Sequence, residues 1–160
     1  MIFTQRYPAL ANRDFRIFIV GQFFSLVGTW LQSTIQPYLV YRLTDQPFYM
    51  GLAGFALTLP AFIFFLPGGV LVERLNKRKT VLVFQIVMMA QAFTLAYLTL
   101  TGRVTIWHIL GLSLVLGFAN SIEITARQAM LSELVGREAL PNAIALNSTV
   151  FNAARVIGPS

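Results

Sequence analysis

Residues Gln46–Lys79 read QPFYMGLAGFALTLPAFIFFLPGGVLV followed by ERLNKRK. The first 27 residues carry no Asp, Glu, Lys or Arg, and the next seven carry five of them. An α-helix rises ~1.5 Å per residue, so ~20 apolar residues cross a hydrocarbon core ~30 Å thick. The run is long enough to cross, and the basic cluster marks where it leaves the bilayer. A membrane barrel strand would instead show segments of ~10 residues alternating apolar and polar. The stretch shows no such alternation, which decides for a helical membrane protein.

The same pattern repeats outward. Charge-free runs of 25, 23 and 19 residues separate Arg16 from Arg42, Lys79 from Arg103, and Arg103 from Glu123. A fifth run, of 16, separates Glu138 from Arg155. The predicted transmembrane helices are about 16–41, 48–72, 80–101, 105–130 and 140–160, the last one cut short. The first is too long for a cleaved signal peptide, and further spans follow it. Composition agrees: the 160-residue chain is 56% hydrophobic and only 11% charged, against roughly 25% charged in soluble domains. Such a chain is too apolar to be disordered. With no Cys it holds neither a disulfide framework nor a Cys-ligated metal.

The net charge of +6 and pI near 10.3 suggest nucleic acid until the charges are placed. The N-terminal segment holds Arg6, Arg13 and Arg16, the second loop Arg74, Lys77, Arg78 and Lys79, and the fourth Arg127 and Arg137. The first and third loops hold only Arg42 and Arg103. Positive charge accumulates on the cytoplasmic side, so the N-terminus is predicted to be cytoplasmic. The partner is the lipid bilayer of the cell inner (plasma) membrane, and no nucleic acid is expected.

In the first span Gln22, Ser25, Thr29, Gln32 and Gln36 are spaced 3, 4, 3, 4 and share one helical face. Lipid would leave their amides unsatisfied. The face is therefore either a hydrogen-bonded packing seam or one wall of a polar substrate cavity. In the second span Gly51, Gly54, Pro60 and Pro67-Gly68-Gly69 suit close helix contact or bending. In the fifth, Ser148, Asn152 and Arg155 share a face. Arg155 lies about 14 residues, or ~21 Å, past Pro141, and an arginine there costs at least ~2.5–3.5 kcal/mol unless it faces protein or water. It either binds an anion or gates electrostatically, or it forms a buried ion pair with a carboxylate missing from this fragment. Glu123 and Arg127, one turn apart, form an ion pair near the inner interface or, less readily, carry a proton. His108, the sole histidine, sits beside Trp107 in the aromatic belt. With no second histidine and no mid-span carboxylate, neither a metal site nor acid–base catalysis is expected. No cofactor is expected, and the chain is read as not an enzyme.

The loop Gly69-Val-Leu-Val-Glu73-Arg74-Leu-Asn76-Lys77-Arg78-Lys79 resembles the G-x-L-A-D-R-x-G-R-K signature of the major facilitator superfamily. Gly69, Leu71, Arg74 and Arg78 fit as they stand. Glu73 replaces Asp, Lys77 replaces Arg, and Asn76 replaces the inner Gly, where its tolerance of left-handed backbone would serve. The segment from Glu123 through Arg127-Gln128 to Val135 resembles D-x-P-A-R-Q-A-x-x-P-x-L-V of the enterobactin-exporter-like branch, the transmembrane secretion effectors. Thr125 and Ser132 stand at its two Pro positions. Asn142-Ala-Ile-Ala-Leu-Asn147-Ser and Asn152-Ala-Ala-Arg155-Val-Ile-Gly158-Pro159 are similar to that branch as well. Gly158-Pro159 matches the core of the antiporter motif G-x-x-x-G-P-x-x-G-G, with Ala154 at its first Gly.

The resemblance implies an all-α fold of two six-helix halves, built from inverted three-helix repeats around a midplane site. This chain would supply the first five helices of the N-terminal half, an inactive fragment without its C-terminal half. The resemblance further implies a secondary active exporter, a proton-coupled antiporter of small molecules such as siderophores or drugs working by alternating access. Gly69, Glu73, Arg74, Lys77 and Arg78 would form a cytoplasmic latch, with Glu123 and Arg127 across from them. Gln22, Ser25, Thr29, Gln32, Gln36, Asn152 and Arg155 would line the substrate cavity. A facilitator or importer of sugars or other nutrients, and a membrane-embedded enzyme or assembly subunit, are the competing readings.

Overall fold

The computed structural model describes residues 8–159, without the side chains of Pro8, Phe65, Leu66, Pro67, Arg137 and Glu138. The expectations attached to Arg6, to Ser160 and to the side chains of Pro67 and Arg137 lie outside the described residues. A short 3-10 helix, Pro8–Ala11, precedes four long helices. They are α1 (Arg13–Thr44), α2 (Pro47–Arg74), α3 (Lys77–Leu100) and α4 (Ile106–Ile157). There is no strand among the described residues.

Four helical stretches are long and apolar enough to cross a membrane: Arg13–Thr44, Pro47–Phe64, Lys77–Leu100 and Ile106–Gly136. The helices outrun the apolar stretches because charges at a span's end stop the hydrophobic run without stopping the helix. Residues 137–157 are helical too, but Asn142, Asn147, Asn152 and Arg155 make them more polar than the other four.

Short, specific stops join the helices. Between α1 and α2 the chain turns at Asp45, with φ 51, a conformation that Asp tolerates, and Pro47 opens α2 where its missing N–H costs nothing. α3 ends in a Schellman motif: Arg103 N–H donates to the Leu98 carbonyl and Gly102 N–H to Thr99, with Gly102 at φ 67. α4 starts on a reciprocal cap. The Thr105 hydroxyl accepts from the His108 N–H, and His108 Nδ1 accepts from the Thr105 N–H at 3.3 Å. His108 thus plays the part glutamate takes in a capping box.

The sequence predicts separate helices over 105–130 and 140–160. Instead the break between them is one residue wide, at Gly136, with φ 69 and ψ 171. Only glycine adopts this left-handed-side conformation freely. Pro141 lies inside the helix five residues after the break, where it removes one i→i−4 hydrogen bond.

The described residues fall into two compact units, 35–127 and the pair 8–34 with 128–159. In the first, Val40, Ala53, Leu95 and Ile109 form the core. Phe118 packs edge-on against Phe64 and Phe84, with ring centroids 4.9 and 6.0 Å away. In the second, Ala9, Phe15, Ile19, Leu131 and Ala143 form the core. There Asn12 caps α1 by accepting from the Asp14 N–H at 2.8 Å. Its amide also donates to the Leu134 carbonyl at 2.6 Å, just before the Gly136 break. Beyond the break, Asn142 accepts from the Ala9 N–H.

Around these apolar cores, several polar side chains are buried and large apolar ones stand exposed. Gln22, Gln36, Thr80, Gln91, Ser113 and Glu123 are buried, while Phe62 (87%), Leu100 (88%), Trp107 (72%) and Phe93 (68%) stand exposed. Water would disfavour so much exposed apolar surface; lipid accepts it and disfavours exposed amides.

Candidate functional site

The polar stripe of α1 faces protein. Gln22 and Gln36 are buried, Ser25, Thr29 and Gln32 are half-buried, and Phe24, Leu31, Ile35 and Tyr38 on other faces are exposed. Its members are not equivalent. Gln36, in the 35–127 unit, donates to the Ser113 hydroxyl at 2.7 Å, and Ser113 donates to the Ile109 carbonyl at 2.7 Å. That end of the stripe is a closed packing seam. Thr29 donates to the carbonyl of Ser25 at 3.0 Å, so its hydroxyl is bound within its own helix. Gln22 Oε1 is buried and accepts no hydrogen bond.

In the other unit α1 meets the segment after Gly136. A Cβ at Gly158 would lie 2.6 Å from Trp30 Cβ and 2.9 Å from the Val27 carbonyl oxygen, so only glycine permits this approach. Trp30 lies edge-on to Phe151, with centroids 5.5 Å apart. The guanidinium carbon of Arg155 sits 5.4 Å from the Trp30 ring centroid. Arg155 is exposed, and no carboxylate pairs with it among the described residues. A cation–π contact supplies about 0.5–2 kcal/mol, which falls short of the ~2.5–3.5 kcal/mol cost of an arginine in the bilayer. Water, an anion or a carboxylate from outside this chain would supply the rest. Asn152, one turn before, is exposed and spends its amide N–H on the Ser148 carbonyl at 2.8 Å. Trp30 was not among the residues singled out from sequence. Its signal was its place in the middle of a charge-free run, where tryptophan is unusual because it favours the interface.

The glycines of the second span are not the close contacts that the sequence suggested. A Cβ at Gly51, Gly54, Gly68 or Gly69 would meet nothing within 4 Å. The close approach is made by Gly117 of α4, where a Cβ would overlap the Leu57 backbone carbonyl of α2. α2 does pack tightly, but the small residue is on its partner.

At the α2–α3 turn, Glu73 and Arg74 are exposed and end α2, and Lys77 is half-buried at the start of α3. Asn76 is not left-handed: its φ is −71 and its side chain caps α3 by accepting from the Lys79 N–H at 3.1 Å. Asn is among the best N-cap residues, which explains how it replaces a turn glycine. Arg78 is exposed on α3. Glu123 is buried and pairs with Arg127 at 3.4 Å, and the Gln85 side chain hydrogen-bonds to it. Pro159 is exposed beside the buried Gly158. No cluster of metal-ligating side chains occurs among the described residues.

Long apolar helices with inward-facing amides and outward-facing aromatics define a multi-pass α-helical membrane protein. The chain matches the transmembrane secretion effector family over residues 4–160. It belongs to that family, within the major facilitator superfamily, which points to a transporter rather than an enzyme. Among curated proteins it is similar to the enterobactin exporters EntS of Shigella flexneri and of Salmonella choleraesuis (strain SC-B67). It is 28% identical to each over 145 residues, covering 91% of this chain. The chain spans about a third (35%) of the length of these relatives. No solved structure matches it.

Proposed function

We propose that this chain forms the first part of a secondary active exporter of small molecules. The family match over nearly the whole chain carries this reading, and the likeness to enterobactin exporters supports the outward direction. Because the chain covers 35% of those relatives, the proposed activity is that of this chain joined to a C-terminal half. The helices would sit in the inner membrane with the N-terminus in the cytoplasm, a topology supported by the basic residues of the α2–α3 turn. Glu73, Arg74, Lys77 and Arg78 would close the cytoplasmic side in one state of an alternating-access cycle, with the buried Glu123–Arg127 pair near them. Gln22, Ser25, Thr29, Gln32, Asn152 and Arg155 would line the pathway. Gly158 and Pro159 carry the resemblance to proton antiporters.

The test is efflux from cells producing the longer protein, loaded with a fluorescent dye or a siderophore. Faster loss than in vector controls, abolished by a protonophore, is the expected result. Net uptake would favour the importer reading, and protonophore-insensitive efflux would remove proton coupling.

A further inference from the structure

We propose that Arg155, Trp30 and Phe151 form a subsite for a carboxylate-bearing organic anion with a flat apolar body. This deepens the transporter reading and rests on it, since it names the substrate class for one part of the pathway. Three observations carry it. First, Arg155 is exposed, without a carboxylate partner among the described residues, in a helix of a membrane protein. A cation so placed is open to water or to an incoming anion. Its planar fork of N–H donors matches a carboxylate in two-point geometry.

Second, the guanidinium is held in place before any ligand arrives. It lies over the Trp30 ring at 5.4 Å. That ring is fixed by Phe151 edge-on at 5.5 Å and by the backbone of Gly158 against its Cβ. A donor ordered in advance loses little freedom on binding. Third, the rim is chemically mixed in the right sense. Phe151 is exposed beside the cation, and the Asn152 amide N–H is already spent on Ser148. One positive charge with an aromatic wall fits a monoanion whose remainder is apolar and flat. A small, strongly hydrated dianion would find one charge and no further strong donor, at a high desolvation cost.

The experiment is binding of radiolabelled benzoate to the full chain in lipid nanodiscs, with empty nanodiscs subtracted. Trp30 emission in a Trp107→Phe background serves as the local reporter, because these are the two tryptophans of the chain. We expect saturable binding that changes Trp30 emission, weaker competition by acetate, and none by neutral benzamide. Arg155→Gln should raise the half-saturating concentration tenfold or more. Arg155→Lys, which keeps the charge and loses the fork, should fall between the two. Circular dichroism of each variant shows whether the helices persist. Benzoate binding that is unchanged in a helical Arg155→Gln, or benzamide or sulfate competing as well as benzoate, would overturn the subsite. The two readings separate cleanly. Benzoate binding without efflux by the longer protein keeps the subsite and removes the exporter, and efflux without benzoate binding does the reverse.

Discussion

Residues 35–127 and the paired segments 8–34 and 128–159 treat the polar stripe of α1 differently. In the first, Gln36 meets Ser113, Ser113 meets the Ile109 carbonyl, and Glu123 meets Arg127 and Gln85. In the second, Gln22 Oε1, Trp30 Nε1 and Asn147 Oδ1 are buried without a hydrogen-bond partner, as Arg127 Nε is in the first, and Arg155 lies over an aromatic face. An unsatisfied polar atom costs more than a satisfied one gains. Such atoms favour a partner from water, a ligand or the rest of the protein. The same stripe of α1 therefore reads as a seam at Gln36 and as a wall at Gln22.

The largest effect that would test this contrast concerns the closed unit. Gly117→Leu places side-chain atoms where the Leu57 carbonyl already lies, and overpacking of this kind costs about 1–3 kcal/mol or more. Gly54→Leu should be nearly silent, because nothing lies within 4 Å of its would-be Cβ. Thermal unfolding in detergent should show a large loss for the first and almost none for the second. Equal losses would mean that the helix contacts are placed wrongly. A middle-sized effect is expected from Ser113→Ala, which removes the hydroxyl that accepts from the Gln36 amide. Side-chain hydrogen bonds between membrane helices are worth about 0.6–2 kcal/mol. The double variant with Gln36→Leu should recover part of that loss, since neither partner is then left unpaired.

Four long apolar helices were legible in the sequence because charge gaps can be compared with hydrocarbon thickness. The sites of contact were not. Gly51 and Gly54 have the right residue type, but nothing in their own helix says which face a neighbour approaches. Gly117, one of three glycines in α4, stood in no pattern that marked it. The Gly136 break was hidden for a different reason. The surrounding Glu133, Arg137 and Glu138 suggested a broad loop, whereas one glycine at φ 69 does the work of a loop without ending the helices on either side. Gly158 could be singled out from its Gly-Pro context, yet its partner Trp30 sits over a hundred residues away and no local spacing links them. Arg155 was legible as an anomaly because charge is so scarce in the spans. That it rests on an indole rather than on a carboxylate required the fold.

The smallest expected effect bears hardest on the comparison. Gln22→Leu removes an amide whose oxygen accepts nothing, so the stability lost with it is small, within about 0.5 kcal/mol, and the change can even be stabilising. Gln36→Leu should cost more, because it removes a 2.7 Å hydrogen bond made to the Ser113 hydroxyl. In the longer protein the order of functional damage should reverse. Gln22→Leu would lower efflux at unchanged membrane level, because a leucine there dries a wall that the pathway needs wet. Gln36→Leu would alter efflux only as far as it alters the amount of folded protein. Measuring unfolding midpoint and efflux for both variants separates a seam from a wall on one helix. If Gln22→Leu destabilises as much as Gln36→Leu and leaves efflux alone, the stripe is a packing seam throughout.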